Sequence, residues 1–183
     1  MAKADGVGFE WDTSKINVGD IIMSATIELV GGRYVQIDIE DFDKLSQWSW
    51  SLTQSGYAGR SFRVGIRSAD KKKVVLMHRF IMDAPSDMLV DHINHNILDN
   101  RKENLRLCTK SENSRNRKIQ SNNKSGYKGV YCKSQSIWGC QIKINGKNKH
   151  LGYFVDPIEA AKTYDIHAKE IYGEFAYLNF CME

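Results

Sequence analysis

The sequence predicts an α+β fold with a β-rich N-terminal region, a strand–loop–strand–helix core, and a small three-stranded antiparallel sheet packed on one helix. Strand-like residues flank Gly31-Gly32 and Asn145-Gly146, and such dipeptides form the turns of β-hairpins. Helix-start signals occur at Thr109, with glutamate three residues later, and at Asp156, with proline next. Strands joined by short turns, with few helices, are typical of this fold class.

The N-terminal region carries strand patterns interrupted by two short helical patterns. The expected elements, in order, are strands at 27–30 and 34–37, a helix at 38–50, strands at 57–64 and 73–76, and a helix at 78–82. The first helix is predicted because Phe42, Leu45 and Trp48 recur at helical spacing. A charged turn is expected at 70–72, and the weak pattern before about Asp20 predicts a loose arm.

The net charge of +4 hides an uneven distribution. Residues 101–150 contain 13 Lys and Arg against two acidic residues, whereas the rest of the chain contains 13 basic and 20 acidic residues. A basic block interleaved with aromatic, Gly and Asn residues is typical of a surface that binds nucleic acid. The alternative is a scattered set of solvated lysines, which this interleaving disfavours.

The cysteines and the hydropathy pattern exclude several protein classes. The four cysteines, Cys108, Cys132, Cys140 and Cys181, form no C-x-x-C pair, so we expect reduced thiols and no structural zinc. No apolar run is long enough to span a bilayer, and no signal peptide follows Met1. We therefore expect a cytoplasmic protein without a membrane partner.

The segment with the most chemical information begins at Asp91 and His92, which follow an apolar run. A polar, Asn-rich loop comes next, and residues 105–108 then have a strand pattern. Thr109 and Glu112 match the capping box that opens a helix. The order strand, loop, strand, helix places polar side chains where they can converge.

This segment resembles the ββα-metal core of HNH nucleases, in the H-N-N form found among phage homing endonucleases. The resemblance implies that Asp91 is the acidic metal ligand and that His92 is the general base. It also implies that Asn104 braces the loop and that Asn113 is the second metal ligand, where many members have histidine. His95 is an alternative ligand, although loop histidines are usually solvated, and His78 lies in an apolar segment typical of a packing residue.

The resemblance implies one divalent cation, which we expect to be Mg²⁺, with Mn²⁺ as the alternative. Oxygen ligands from one carboxylate and one carboxamide suit such hard ions and disfavour zinc. The cation would polarise the scissile phosphate, while neutral His92 removes a proton from the attacking water. Asn104 would orient His92 without binding the ion.

The C-terminal segment predicts a compact second unit. Strands are expected at 127–130, 138–144 and 150–154, followed by a helix that begins at Asp156 and ends at Gly173. The helix has an apolar stripe of Ala161, Tyr164, Ala168 and Ile171. This stripe should cover one face of the sheet and leave the other face free.

Residues 125–180 resemble the plant ethylene-response-factor DNA-binding domain, which also occurs attached to phage HNH endonucleases. The resemblance rests on residues 125–130, 138–142, 151–154, 159–165 and 178–180. It implies a sheet that lies in the major groove. The positions that match DNA contacts are Lys128, Tyr131, Lys133, Gln141 and Lys143. Because Tyr and Lys replace arginine at two of them, we expect more phosphate contact and less base reading than in the plant proteins.

Other residues of this unit are expected to have a structural role, or have two possible roles. Trp138, Tyr164 and Phe180 are expected in its core. Lys147 and Lys149 flank the hairpin turn and either contact phosphate or are solvated.

The resulting organisation is a β-rich region at 1–84, a nuclease core at 85–120, a linker at 121–125 and a DNA-binding domain at 126–183. These features predict a metal-dependent endonuclease that acts on double-stranded DNA, as a site-specific nicking or homing enzyme. One site per chain predicts a monomer or a DNA-dependent dimer. Two alternatives stay open: a DNA-binding regulator with an inactive nuclease scaffold, and a protein that binds or cleaves RNA.

Overall fold

The computed structural model describes residues 24–64 and 72–180. The loose arm predicted before Asp20 lies outside these residues, and so does Cys181. Most of the charged turn predicted at 70–72 also lies outside them. The strands are β1 (Ser24–Leu29), β2 (Arg33–Asp38), β3 (Ser51–Leu52), β4 (Ala58–Arg63), β5 (Lys72–Leu76), β6 (Leu89–His92), β7 (Leu105–Cys108), β8 (Val130–Ser134), β9 (Ile137–Ile144) and β10 (Lys147–Phe154). The α-helices are α1 (Phe42–Ser46), α2 (Met77–Ile81), α3 (Lys110–Arg115) and α4 (Pro157–Tyr172).

Strands β1 and β2 form the predicted antiparallel hairpin around Gly31-Gly32. Ile27 lies opposite Val35, and alternate residues of both strands are buried while their neighbours are exposed. This period of two places one apolar face against α1, α2 and β7, in a core that contains Leu45, Met77 and Leu105. The mixed α and β architecture with small antiparallel sheets agrees with the predicted fold class.

The helix predicted at 38–50 is shorter than its sequence pattern indicated. A 3-10 turn occupies Ile39–Asp41 and α1 ends at Ser46, so Trp48 does not lie on a helical stripe. Trp48 is 44% exposed and stacks on the Arg60 guanidinium, 3.7 Å from the ring centroid. Trp50 is the buried indole instead, and its Nε1 donates to the Leu45 carbonyl at 2.9 Å.

The predicted strands at 57–64 and 73–76 are present as β4 and β5, and β3 pairs with the other side of β4. Helix α2 follows β5 directly and buries Met77 and Ile81 in the N-terminal core. Helix α2, which precedes β6, therefore belongs to the same core as the β1–β2 hairpin.

Strands β6 and β7 pair antiparallel, and α3 follows them. The capping box at its start is confirmed: the Thr109 side chain accepts from the Glu112 amide, and the Glu112 carboxylate accepts from the Thr109 amide at 2.8 Å. The connecting loop pairs with β2, because Gln36 N–H donates to the Leu98 carbonyl and Asn100 N–H donates to the Gln36 carbonyl, both at 2.8 Å. The N-terminal hairpin thus supports the loop between β6 and β7.

Strands β8, β9 and β10 form a three-stranded antiparallel sheet in the order β10–β9–β8, covered by α4. The first strand begins at Val130, so the strand predicted at 127–130 was wrong. Gly126 and Gly129 have φ values of +74° and +79°, which break an extended run just before that strand. Any side chain at Gly129 would also collide with the ring of Tyr164.

Helix α4 has the predicted bounds, with Asp156 accepting from the Ile158 amide at 2.8 Å and Gly173 as its C-cap. Ala161, Tyr164 and Ala168 are buried as expected. Ile171 is 37% exposed, and Tyr172 is buried in its place, so the predicted stripe shifts by one residue at the last turn.

Cys108 and Cys140 are buried free thiols, and Cys132 is free and exposed. Within the described residues no helix is both long and apolar enough to cross a membrane.

Candidate active site and nucleic-acid interface

Asp91 and His92 occupy the end of β6, and both are buried, at 8% and 4% exposure. Consecutive strand residues point to opposite faces. Strand β6 contacts both α3 and α2, so a helix lies on each side of it: α3 on the side of Asp91 and α2 on the side of His92. The Asp91 carboxylate meets Asn116 just after α3, and the His92 ring meets His78 on α2.

The three hydrogen bonds to the Asp91 carboxylate all end on Oδ2. Arg106, its cross-strand partner, donates from Nη2 at 2.8 Å and from Nε at 3.1 Å. Asn116 donates from Nδ2 at 2.8 Å. No described residue hydrogen-bonds Oδ1, which leaves one carboxylate oxygen for a ligand.

Arg106 is itself buried and also contacts the C-terminal part of the chain. Its Nη1 donates to the main-chain carbonyl of Glu174, and its guanidinium lies 4.2 Å from the Phe175 ring centroid. Both residues belong to the 3-10 turn Gly173–Phe175 that follows α4. This guanidinium therefore joins the end of the C-terminal unit to Asp91.

The His92 ring is held in one tautomer. Its Nε2 lies 2.8 Å from Oδ1 of Asn100, and a carbonyl oxygen can only accept, so Nε2 carries the proton. Nδ1 then carries the lone pair. Burial lowers the pKa of His92, partly offset by the Asn100 hydrogen bond and by the carboxylates of Asp91 and Asp99, so the neutral ring is favoured near pH 7.

His78 lies edge-on to His92, with ring centroids 5.1 Å apart, and Tyr57 contacts both rings. Burial, together with the nearby His92 and Arg79, lowers the pKa of His78 to about 3. The sequence correctly indicated a packing residue. The contact between His78 and His92 was not predicted, since nothing in the sequence relates two residues on different elements.

Asn104 ties the two ends of the loop together. Its Oδ1 accepts from the main-chain N–H of Asn94 at 2.9 Å, and its Nδ2 donates to the main-chain carbonyl of Asp99 at 2.7 Å. Asp99 is buried and forms an ion pair with Arg101 at 2.8 Å. These contacts make the loop from His92 to β7 a fixed structure.

Asn113 lies in α3, and its side-chain amide makes no hydrogen bond to any described residue. Asn116, three residues later, is the helix-end residue that contacts the Asp91 carboxylate. Residues three apart share a helix face, so Asn113 lies on the same face of α3 as Asn116. The sequence analysis missed Asn116, although the i+3 spacing from Asn113 was visible.

The available donors fit a hard divalent cation. Oδ1 of Asp91 and the Asn113 side-chain oxygen are both free of hydrogen bonds among the described residues, and such oxygen ligands suit Mg²⁺ or Mn²⁺. His95, the alternative ligand, places its ring 5.4 Å from that of Tyr177.

A separate acidic group, Asp38, Glu40 and Asp41, lies outside the motif, with oxygens within 4.8 Å of one another. The Lys102 ammonium contacts Glu40 and Asp41, and the Lys102 amide donates to Asp38 at 2.7 Å. A lysine therefore already balances this group.

Comparisons with known proteins bear on the family of this chain. A family profile described as HNH endonuclease matches residues 83–115. An uncharacterized HNH endonuclease of Acanthamoeba polyphaga mimivirus is 34% identical over 154 residues, which cover 81% of this chain and 75% of that protein. The chain belongs to the HNH endonuclease family. Protein 3.8 of Escherichia phage T7 is 33% identical over 93 residues, covering 50% of this chain and 76% of that protein.

Membership of the HNH family implies a DNA substrate. Four of the five residues predicted to contact DNA lie on strands β8 and β9. The face of the sheet opposite α4 carries Gln141 and Lys143, because the buried Cys140 and Ile142 alternate with them on β9. It also carries Tyr131, because the buried Val130 precedes it on β8. Lys133 on β8 lies 5.9 Å from the Tyr153 ring centroid.

Lys128 has a different position from the other candidates. Its ammonium donates to the main-chain carbonyls of Arg115 and Arg117, the latter at 2.7 Å. Burial, and secondarily Arg117, lowers the pKa of Lys128 to about 8. The side chain thus docks on the C-terminal end of α3 and is not on the exposed sheet face.

A polar cleft of about 440 Å³ separates α3 from the β9–β10 hairpin of this HNH protein. Its basic residues are Arg115, Lys128 and Lys143, and none of the described residues that line it is acidic. Its other lining residues are Ser111, Ser114, Gly129, Gln141, Asn145, Gly146, Asn148, Tyr164 and Tyr172. The cleft connects the helix of the nuclease motif with the face of the sheet.

Proposed function

We propose that this HNH protein is an endonuclease that hydrolyses one phosphodiester bond of double-stranded DNA, with a divalent cation held by Asp91 and Asn113. The observation that carries the proposal is the pairing of an open Asp91 oxygen with the single-tautomer imidazole of His92 on the next residue. Mg²⁺ is the expected ion, and Mn²⁺ is the alternative. When bound, the ion supplies charge stabilisation at the scissile phosphate.

His92 acts as the general base through Nδ1, which carries the lone pair because Nε2 is committed to Asn100. Burial keeps the ring neutral, and the neutral ring is the form that can accept a proton from water. Asn100 fixes the direction of the ring, and Asn104 fixes the loop that carries Asn100.

The exposed sheet face and the cleft beside α3 provide the DNA-binding surface. Tyr131, Lys133, Gln141 and Lys143 supply aromatic, amide and cationic groups on β8 and β9. Lysines contact phosphate as point charges, so this surface grips the backbone more than it reads bases. Arg115 extends the basic surface toward the motif helix. We propose a site-specific nicking or homing enzyme that makes one cut per bound chain.

Plasmid nicking tests the hydrolytic part of the proposal. Supercoiled plasmid is incubated with Mg²⁺ and wild-type protein, His92→Ala or the control His167→Ala, which changes a half-buried histidine of α4. We expect open circles with wild type and the control, and intact plasmid with His92→Ala or with chelator. Tight binding without cleavage by wild type would instead identify a DNA-binding regulator.

Salt-dependent binding tests the DNA surface. Removing one phosphate contact lowers the slope of log affinity against log salt by about 0.9 for duplex DNA. We expect this decrease for Lys143→Gln and an unchanged slope for Lys162→Gln, which alters an exposed lysine of α4. Equal slopes for both variants, or stronger competition by RNA than by duplex DNA, would contradict the proposal.

A further inference from the structure

We infer that Arg106 is a positioning residue that makes cation binding at Asp91 depend on the C-terminal turn Gly173–Phe175 and on the arrival of DNA. The inference rests on the proposed role of Asp91 as a metal ligand. It adds a residue outside the Asp, His and Asn set that the HNH resemblance assigns, and it gives the C-terminal unit a role inside the active site.

All three nitrogen atoms of the Arg106 guanidinium are engaged. Nε and Nη2 bind the same Asp91 oxygen, and Nη1 binds the Glu174 carbonyl. The Phe175 ring lies against the guanidinium at 4.2 Å. With Arg106 only 9% exposed, this cation has little freedom to leave Asp91.

The pair of charges has a direct consequence for a metal ion. Asp91 and Arg106 together carry no net charge, so an incoming divalent cation meets a carboxylate that is already neutralised and a guanidinium that repels it. Asn113 adds no charge. A DNA phosphate would supply the missing negative charge, so the site should take up its ion together with substrate and should hold it weakly alone.

The position of the guanidinium depends on a distant part of the chain. Glu174 is 68 residues from Arg106 in sequence, and it lies in the turn directly after α4. Lys128 adds a second link, because its ammonium binds the carbonyl end of α3. The C-terminal unit therefore packs against α3, which carries Asn113, and against Arg106 of β7, the strand paired with the one that carries Asp91.

A purely structural ion pair would give a different result from the one inferred. It would change the melting temperature of the protein on mutation without tightening metal binding. Mn²⁺ affinity measured in the absence of DNA separates these roles, because it does not depend on catalysis.

The experiment measures Mn²⁺ binding to the full chain by titration calorimetry, with and without a short DNA duplex and with folding checked by circular dichroism. The variants are Arg106→Gln, which keeps an amide donor but removes the charge, and Phe175→Leu, which removes the aromatic face. Arg60→Gln is the matched control, because Arg60 is also a half-buried arginine that stacks on an aromatic ring, that of Trp48 at 3.7 Å, and it lies outside the proposed metal and DNA sites.

Without DNA, Arg106→Gln should bind Mn²⁺ at least about tenfold more tightly than wild type, the size expected from removing a unit charge near a cation in a partly buried site. Phe175→Leu should shift the affinity in the same direction by less, and Arg60→Gln should leave it unchanged. DNA should enhance Mn²⁺ binding less in Arg106→Gln than in wild type. If Arg106→Gln does not fold, the Phe175→Leu result decides in its place.

Unchanged or weaker Mn²⁺ binding by a folded Arg106→Gln would overturn the inference. Asp91→Asn distinguishes this failure from failure of the proposed function. If Asp91→Asn weakens Mn²⁺ binding while Arg106→Gln has no effect, the metal site stands and the role of Arg106 is wrong. If Asp91→Asn leaves Mn²⁺ binding intact, the ion binds elsewhere and the proposed function is wrong as well.

Discussion

The Nε2 atom of His92 lies 2.8 Å from Oδ1 of Asn100, a side chain with no exposed surface. The main-chain N–H of Asn100 in turn donates to the Gln36 carbonyl at 2.8 Å, so strand β2 helps to place the residue that orients the imidazole. The β-rich N-terminal region is thereby connected to the proposed general base through one side chain and one main-chain bond.

Asn100→Leu should reduce the nicking rate by about 10- to 100-fold, the usual effect of removing a residue that orients a functional side chain. Leucine has a similar shape but cannot accept from Nε2, so the imidazole loses its fixed tautomer. Rates of plasmid nicking at saturating Mg²⁺ measure the effect, with Asn122→Ala as an exposed control. A fully active Asn100→Leu protein would show that another group orients His92.

Asp91→Ala should destabilise the protein by about 3–5 kcal/mol, because it leaves the Arg106 guanidinium buried without its counterion. Asp91→Asn should cost less, since an amide oxygen can still accept from Arg106, yet it should abolish Mg²⁺-dependent nicking. Urea unfolding and plasmid nicking measure the two effects. Equal stability of both variants would argue against a buried ion pair at this position.

His78 should make stability depend on pH below neutrality. Its pKa falls from an ordinary value near 6.5 to about 3 in the folded protein, so between these values the unfolded chain binds more protons. Stability contributed by the neutral ring is therefore present above pH 6.5 and is lost as the pH falls toward 3. The slope from one such group approaches about 1.4 kcal/mol per pH unit.

The pH dependence can be assigned by comparing wild type with His78→Gln. The free energy of unfolding should fall less steeply from pH 7 to 6 to 5 in the variant, because a histidine with a lowered pKa has been removed. Parallel curves for the two proteins would mean that His78 does not resist protonation in the folded state.

Asp165→Ala should destabilise the protein by about 2–4 kcal/mol, since it leaves three partly buried N–H donors without an acceptor. The Asp165 carboxylate is 2% exposed and accepts from Asn179 and Phe180 amides at 2.9–3.0 Å. Asn179 in turn binds the main chain of Lys128. Thermal melting is the measurement, and Glu170→Ala on the exposed side of α4 is the control. A melting temperature equal to that of the control would contradict this arrangement.

Local patterns determined much of this fold. The capping box at Thr109 and Glu112 and the hairpins around Gly31-Gly32 and Asn145-Gly146 involve neighbours in sequence, so spacing alone was sufficient to predict them. The prediction failed where a turn interrupts a period, as at Trp48, whose helix ends two residues earlier.

The candidate site divides in the same way. The sequence by itself proposed Asp91, His92, Asn104 and Asn113 as site residues, through their resemblance to an ordered motif along the chain. Only the tertiary structure placed Arg106 on Asp91 and the Glu174 carbonyl on Arg106. Likewise, only the tertiary structure placed the Lys128 ammonium on α3. These contacts depend on cross-strand register and on the packing of segments far apart in the chain, and neither leaves a periodic signal in the order of the residues.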